Sequence, residues 1–461
     1  MNKGMRVIAS LCYLLSEKAA ISDGIFVILI AIILFCVIIF LFAEHVDHRQ
    51  AKVTLSKEYT MNMKPVAVLM CLALAVLLHP CTAGAEPGVT PNQLTIGMTT
   101  VLNGPASFLG ISFKTGVDAY LNGVNDAGGV NGRKIKLIAY DDGYEPKNAV
   151  ANATKLIKED GVFCFLGNVG TPTALAIRKM LAEEKVPLFA PFTGAESLRK
   201  PVDRYLLHYR ASYNQETEIF VKGMVDELGF KKIAVFYQDD GYGKAVLDGA
   251  TLALNRRNLS PVATGTYTRN FENVNSALDK IMAARPDAVV MAGTYSACAK
   301  FTTMWKRKTL LEKRKDPDPV FMNVSFVGPD RLATLLDKYG YGVVVTQVVP
   351  PFNTDGANYP AVSEYLAAMN RYFGVMKPNF VSLEGYLAAK VFVEALKRTG
   401  KNLTREGFID TVEGIRDFDI QAGNKISFSK DNHQGSQTVY PTVIRGGKFY
   451  AIDDWKNLRA Q

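Results

Sequence analysis

The chain alternates short β-type runs with helix-length amphipathic stretches, and this alternation constrains its fold more than any other feature. From Leu94 the series reads LTIGMTT, FKTGVDAYLNGVNDAG, KIKLIAYDD and PKNAVANATKLIKED. Strands that alternate with helices of this length form right-handed βαβ units, in which a parallel sheet carries helices on both faces. The pattern therefore predicts an α/β fold built on doubly wound parallel sheets.

A second series of the same kind starts after YLLHYR and contains the strand-like runs KKIAVFY, ATGTYT and DAVVMAG. No linker rich in Pro or Ser separates the two series, so we expect two α/β lobes joined by short crossings. Helical patterns at 362–373 and 383–398, and the β-type runs KISFS, TVYPTVI and KFYAID, come later. They must pack onto lobes already formed, which predicts several hinge crossings and a cleft between the lobes.

Two apolar segments near the N-terminus make incompatible predictions. Residues 24–43 are uncharged and long enough to span a bilayer, whereas residues 61–85 have a lysine, an apolar core and Ala-Gly-Ala at the end, as in a secretory signal peptide. A signal peptide keeps its charged end in the cytoplasm, which an upstream spanning helix would prevent. We expect residues 1–60 to be an over-extended reading frame with translation starting at Met61 or Met63.

Cleavage after Ala85 would then export the protein to the periplasm, with a membrane tether only if residues 1–60 are translated. Cys81 follows His79-Pro80, a poor match to the small residues that precede a lipidated cysteine. Lipidation of Cys81 is the alternative.

Composition argues against several classes of protein. The net charge is +9, but the basic residues look scattered and no basic run is interleaved with aromatics, so nucleic-acid binding is not expected. Beyond residue 85 the cysteines are Cys164 and Cys298 and the histidines are His208 and His433. They form no CxxC or other metal-ligand spacing, so we predict no metal or cofactor.

The clearest candidate for a binding loop is GNVGTPT at residues 167–173. It lies between an apolar run and a helical pattern, and Thr171 before Pro172 has the form of an N-cap followed by proline at the first helical position. With Gly170 in the same loop, free N–H groups and the helix dipole would face a carboxylate or phosphate. FTGAESLR at 192–199 repeats this theme and would supply a second helix N-terminus. A capped helix without a ligand is the alternative.

Other candidates are weaker. In the second series, Tyr242, Thr294, Tyr295 and Ser325 follow strand-like runs, where they would either line a ligand or pack within loops. Ser197 opens an S-x-x-K match that lacks its usual partner motifs, and GxSxG, HExxH and GxGxxG are not found. We therefore predict that the protein is not an enzyme.

The motifs together resemble the leucine/isoleucine/valine-binding protein family, the type I periplasmic solute-binding proteins of ABC transporters. The likeness runs from Leu94 to Asp453 and rests on NGPASFLG, NDAGGVNGRKIKLIAYDDGYEPKNAV, LGNVGTPTA, APFTGAESLR, a YGK turn and EGYLAAKVFVEAL, in that order. It implies two lobes with three hinge crossings that close around a small solute for a membrane permease. Lobe 1 would comprise 86–210 with 349–427, and lobe 2 would comprise 211–348 with 428–461.

The resemblance also assigns site residues. It implies a Thr171 hydroxyl on the ligand carboxylate, Phe192, Gly194 and Ala195 in the second carboxylate-side loop, Tyr242 as an aromatic lid and Phe380 near a side-chain pocket. Thr294 takes the position of a family tyrosine, with Tyr295 beside it. Tyr144 and Gly170 take the positions of the family's first-lobe disulfide, which this chain therefore lacks.

Ser325 departs from the family, whose amino-acid binders place there an acid for the ligand ammonium. Burying an ammonium without its partner costs roughly 3–5 kcal/mol, so we expect a carboxylate or amide ligand without an α-amino group, such as an aromatic or short aliphatic acid. Glu384 could supply a substitute acid and restore amino-acid binding. The expected partners are a small solute and an ABC permease, with the protein a monomer; the alternative is a membrane-tethered extracytoplasmic sensor with the same fold.

Overall fold

The computed structural model describes residues 86–352 and 359–459, which form α/β layers around two main sheets. The strands of the first sheet are β1 (Gln93–Thr100), β2 (Lys134–Asp141), β3 (Phe165–Asn168), β4 (Leu188–Phe189) and β5 (Leu206–Leu207). They follow the order β2-β1-β3-β4-β5, and every pairing is parallel. Each strand-to-strand connection therefore has to cross a face of the sheet, and helices supply most of these crossings.

The remaining strands, in chain order, are β6 (Ile233–Gln238), β7 (Ala263–Tyr267), β8 (Ala288–Ala292), β9 (Val320–Asn323), β10 (Val344–Gln347), β11 (Phe418–Asp419), β12 (Lys425–Ile426), β13 (Tyr440–Arg445) and β14 (Lys448–Ala451). Strands β11 and β12 form a separate pair, and the other seven form the second sheet. The order is β14-β13-β10-β9-β8-β6-β7. The pairings among β6 to β10 are parallel, and β13 and β14 extend one edge in antiparallel fashion.

The helices connect and cover these strands. They are α1 (Ser107–Asp126), α2 (Pro146–Lys158), α3 (Thr171–Glu183), α4 (Tyr213–Val221), α5 (Gly241–Asn255), α6 (Asn275–Ala283), α7 (Tyr295–Leu311), α8 (Pro329–Leu336), α9 (Pro360–Phe373), α10 (Phe380–Thr399) and α11 (Arg405–Glu413). Capping boxes start α4 at Ser212 and α10 at Asn379, where side chains satisfy backbone N–H groups that have no partner within the helix.

Helices α1 and α10 cross in close contact because glycines allow it. A Cβ on Gly116 would lie 1.8 Å from the Ser382 carbonyl oxygen, and one on Gly385 would lie 2.2 Å from the Phe113 carbonyl oxygen. Burial along nearly the whole of α10 explains why its sequence is apolar on most sides.

The structure confirms an α/β fold with two lobes of doubly wound sheet joined by hinge crossings. Two of the crossings pair with each other, since the His208 N–H donates to the His433 carbonyl at 2.8 Å and the Gly435 N–H donates to the His208 carbonyl at 2.8 Å. The exact lobe boundaries given by the resemblance stay predictions.

All the core residues in the described part lie between Leu94 and Leu458, so this part of the chain carries its own hydrophobic core. No helix among the described residues is both long and apolar enough to cross a bilayer. The spanning-type segment 24–43, the signal-type segment 61–85 and Cys81 all lie outside the described residues.

Candidate functional site

Loops at the carboxyl ends of strands from both sheets meet between the lobes, and we call this meeting region the cleft. From the first sheet come residues 142–145 after β2, 169–171 after β3 and 190–195 after β4; from the second come 239–242 after β6, 268–270 after β7, 293–295 after β8 and 324–328 after β9. Ligands of doubly wound sheets bind beyond the carboxyl ends of the strands. This is therefore the candidate site.

Thr171 lies in the cleft, but its local role differs from the expected N-cap. The structure places Gly170 at the N-cap, with φ +106°, and Thr171 and Pro172 within the first turn of α3, where no side chain caps the helix. The Thr171 hydroxyl instead bonds the Thr193 hydroxyl at 2.6 Å, and both residues are fully buried. The backbone at Gly170 turns through a conformation that glycine adopts readily, which leaves the threonine hydroxyl facing the neighbouring loop.

The loop at 192–195 lies beside the Thr171 loop. The Phe192 N–H donates to the Asn168 carbonyl at 2.8 Å, and the Gly170 N–H donates to the Phe192 carbonyl at 3.2 Å. Gly194 is required because a Cβ there would lie 2.5 Å from the Tyr213 ring. The Ala195 N–H donates to the Thr193 hydroxyl, so the backbone of this loop is already bonded within itself.

A second helix N-terminus at this loop was the wrong expectation. The structure has only one 3₁₀ turn there, Glu196–Leu198, and Pro201 follows closely, where its missing N–H would break a continuing helix. Of these two loops, therefore, only the one after β3 leads directly into an α-helix, α3.

Tyr242, Thr294 and Tyr295 follow strands of the second sheet and lie in the cleft. Their contact with a ligand stays a prediction. Tyr242 is fully buried, and its hydroxyl donates to the Gly293 carbonyl at 3.3 Å. The Tyr295 hydroxyl accepts from the Phe108 N–H at 3.3 Å, a contact that joins α7 to the start of α1. Thr294 uses its backbone N–H, which donates to the Tyr267 hydroxyl at 2.9 Å.

Phe326 lies at the centre of this aromatic group, although the sequence reasoning did not single it out. Its ring centroid is 4.4 Å from that of Tyr242, 5.3 Å from that of Phe192 and 6.2 Å from that of Tyr144. Since Phe192 and Tyr144 follow strands of the first sheet and Phe326 follows a strand of the second, these rings make the apolar contact between the lobes. A cavity of about 740 Å³ lies at the contact between the starts of α1 and α7, lined by Phe108, Tyr295 and neighbouring residues.

Ser325 belongs to a buried charged cluster. The sequence analysis did not predict two of its members, Arg210 and Glu216. Glu216 accepts from the Ser325 N–H at 2.7 Å, from the Ser325 hydroxyl at 3.0 Å, from Arg210 Nη2 at 3.3 Å and from the Thr346 hydroxyl. Arg210 Nη2 also donates to the Ser325 hydroxyl. An acid thus occupies the side of the cleft where Ser325 replaces one, but it comes from α4 and its oxygens already have four donors.

Glu384 completes this cluster. Its carboxylate lies 3.6 Å from Arg210 Nη1, and it is 4% exposed. Burial raises the pKa of Glu384 to about 7, opposed by the positive charge of Arg210 and reinforced by the negative charge of Glu216. Two acids, Glu216 and Glu384, thus lie beside the guanidinium of Arg210. Of the two, Glu384 accepts fewer hydrogen bonds.

Phe380 falls at the edge of the site, whereas Gly170 lies in the cleft loop after β3. Phe380 is buried and its ring packs on Phe352 and Phe449, while its N–H donates to the Asp330 carboxylate at 2.9 Å. Gly170 lies directly against Tyr144, since an added Cβ would be 2.1 Å from the tyrosine ring. The two positions that the resemblance assigned to a disulfide are therefore neighbours in space, although neither is a cysteine.

Cys164 and Cys298 are both buried and unpaired, as expected for small apolar side chains. The described residues contain no group of three or more His, Cys, Asp or Glu side chains placed to hold a metal ion.

Comparison with known proteins agrees with this geometry. A family model described as "Periplasmic binding protein" matches residues 93–448, more than three quarters of the chain. The chain belongs to the periplasmic binding protein family. The resemblance to its leucine/isoleucine/valine-binding members, type I binding proteins of ABC transporters, is confirmed.

The chain matches individual relatives over nearly the whole length of those relatives. The chain is 27% identical over 400 residues to the Leu/Ile/Val-binding protein BraC3 of Rhizobium johnstonii, with 86% of this chain and 100% of that protein covered. The crystal structure of a possible leucine/isoleucine/valine-binding protein from Rhodopirellula baltica matches at TM-score 0.74 and 35% identity, covering 82% and 100%. A substrate-binding periplasmic protein from Ralstonia solanacearum matches at TM-score 0.72 and 27% identity, covering 77% and 99%. The family and these relatives are binding proteins, which implies a location outside the cytoplasm.

Proposed function

We propose that this protein captures a small carboxylate or amide-type solute, of the size of a branched-chain amino acid, by closing its lobes, and delivers it to an ABC permease. The observation that carries the proposal is the packing of Phe192, in the same loop as Thr193, against Phe326, which follows a strand of the second sheet. A solute held beside these two loops would contact both lobes. Such contacts shift the balance between open and closed forms only if the solute binds the closed form better. The relatives named for Leu, Ile and Val support this class of solute.

The two sides of the cleft, at the start of α3 and at Ser325, suit different chemical groups of the solute. The first turn of α3 and the hydroxyls of Thr171 and Thr193 offer donors and a positive helix end, which suit a carboxylate. Around Ser325 the acid Glu216 is already bonded by four donors and faces Arg210. It is therefore a poor partner for a ligand ammonium.

We accordingly favour an acid or amide without an α-amino group. Glu384 is the remaining acid, and with a pKa of about 7 it is partly protonated at neutral pH, so it could donate to an amide or acid oxygen as well as accept from an ammonium. An amino acid that bound through Glu384 would need the ionised form. Its binding would then strengthen as the pH rises from 6 to 8.

Calorimetry on the unliganded protein tests the proposal with leucine, a branched aliphatic acid, an aromatic acid and their amides, and mass spectrometry identifies any co-purified solute. Tight binding of an acid without an amino group supports our preference. Tight binding of leucine contradicts that preference but leaves the solute-binding function in place, whereas turnover of a bound solute would show that the protein is an enzyme.

Export and delivery are parts of the same proposal. We infer that residues 61–85 act as a signal peptide and that the exported chain begins at Glu86. N-terminal sequencing of protein from the periplasmic fraction tests this, and recovery of a chain that begins near Met1 would contradict it. Uptake of the labelled solute by cells that lack the gene, with and without complementation, tests delivery to the permease.

A further inference from the structure

Residues 306–315 read KRKTLLEKRK and concentrate positive charge in one short segment. They contain six lysine and arginine residues against the single Glu312, a net charge of +5 in a chain whose total is +9. The expectation of scattered basic residues therefore does not hold for this segment. Asp316 and Asp318 follow it, so the charge is confined to the last turns of α7 and the turn after them.

Two leucines in the middle of this segment project into solvent. Leu310 is 72% exposed and Leu311 is 81% exposed. They are the last two residues of α7, whose other large apolar side chains, such as Phe301 and Trp305, are buried in the lobe. The leucines therefore lie on the free end of the helix and add nothing to the core.

The cations of the segment are only partly neutralised. Lys308 pairs with Asp279 at 2.9 Å and Arg314 with Glu312 at 2.6 Å. Lys306 donates to two backbone carbonyls, those of Tyr339 and Tyr341. For the other three, Arg307, Lys313 and Lys315, the described part of the chain provides no acidic partner within 4.0 Å.

We propose that residues 306–315 dock onto the surface of an anionic phospholipid bilayer. Unpaired cations flanking exposed leucines are the combination that binds the interface of such a membrane, since the cations attract the headgroups and the leucines enter the acyl boundary. The leucines project into solvent and do not line the neighbouring cavity bounded by Thr309 and Arg314, so a flat surface suits them better than a peptide bound in a groove.

The position of the segment is compatible with solute capture. Helix α7 begins at Tyr295 in the cleft and runs for 17 residues, so its basic end lies about 25 Å from the cleft. Attachment there leaves the cleft open to solutes and keeps the protein close to the membrane.

Vesicle co-sedimentation tests the proposal with the chain from Glu86 to Gln461, which lacks the two apolar N-terminal segments and retains the core. We expect binding to phosphatidylglycerol vesicles and none to phosphatidylcholine vesicles. Binding should be lost in about 1 M salt, where the screening length falls to about 3 Å. The variants L310S/L311S and K313Q/R314Q/K315Q should each reduce partitioning at least about ten-fold.

Matched controls separate a specific surface from general charge. K134Q/K136Q/K179Q removes three exposed lysines elsewhere, and Val375→Ser removes an apolar side chain that is 99% exposed; both should bind like the unmodified chain. Equal losses in the control triple variant would overturn the proposal. So would sedimentation velocity showing that Leu310 and Leu311 instead join two copies of the chain, with no vesicle binding.

Discussion

Arg269 and Glu145 form an ion pair between the two lobes, with Nη2 3.0 Å from Oε2. Glu145 follows β2 of the first sheet, and Arg269 follows β7 of the second. Asn270 strengthens the contact, since its Nδ2 donates to Glu145 Oε1 at 2.7 Å and to the Gly143 carbonyl at 3.0 Å. These polar contacts thus join the two lobes beside the aromatic group, at residues outside the proposed solute contacts.

We expect Glu145→Gln to raise the dissociation constant of the solute about two- to five-fold. The glutamate side chain is 45% exposed, so its ion pair with Arg269 contributes at most about 1 kcal/mol. Because the pair joins the two lobes, its removal destabilises the proposed closed form and leaves the open form unchanged. Calorimetry measures the change. Glu394→Gln is the matched control, because it breaks the Arg398 pair inside α10 and should leave affinity unchanged. Equal affinities for Glu145→Gln and the unmodified protein would show that the contact does not contribute to closure.

Thr171→Ala should weaken solute binding by about 1–3 kcal/mol while leaving the melting temperature within a few degrees. The hydroxyl at this position is buried against the Thr193 hydroxyl, and its loss removes a donor from the proposed carboxylate site. Thr171→Ser should restore most of the affinity. Thr154→Ala is the control, since the Thr154 hydroxyl bonds a carbonyl within α2. An unchanged dissociation constant would remove Thr171 from the site.

The pH dependence of stability should report Glu384. Its pKa rises from 4.5 to about 7 on folding, so between those values the folded state binds a proton that the unfolded state has released. The free energy of unfolding should therefore fall as the pH rises from about 5 to 8, by roughly 3 kcal/mol from this residue.

Urea unfolding at several pH values measures this effect. Glu384→Gln should flatten the fall relative to the unmodified protein. Burial also raises the pKa values of Asp142 and Asp330 to about 6. These two residues should therefore contribute a smaller fall in the free energy of unfolding in both proteins. Parallel curves for the two proteins would mean that Glu384 titrates near its ordinary value.

The sequence predicted the fold but only some of the residues of the candidate site. Alternating periodicity predicted the strands and helices because each element buries a face that its own spacing defines, and the loops after β3 and β4 fell where parallel sheets bind ligands. Phe326 and Glu216 were missed, since Phe326 follows an apolar strand like many core residues and Glu216 lies in an ordinary amphipathic helix. Their roles depend on which side chains of the other lobe they meet, and a single sequence has no local signal for such long-range contacts.

Glu216→Gln tests whether the charged cluster at Ser325 is structural. Four donors converge on this fully buried carboxylate, and the neutral amide would leave Arg210 with only Glu384 for compensation. Removing one charge of a buried pair costs about 3–5 kcal/mol, so we expect a loss of that size in the free energy of unfolding by urea. Glu218→Gln, which removes a charge paired at the surface with Arg256 and Arg257, should cost less than about 1 kcal/mol. If Glu216→Gln instead leaves stability intact and abolishes only solute binding, Glu216 is a ligand contact, and an amino-acid solute becomes the better assignment for this cleft.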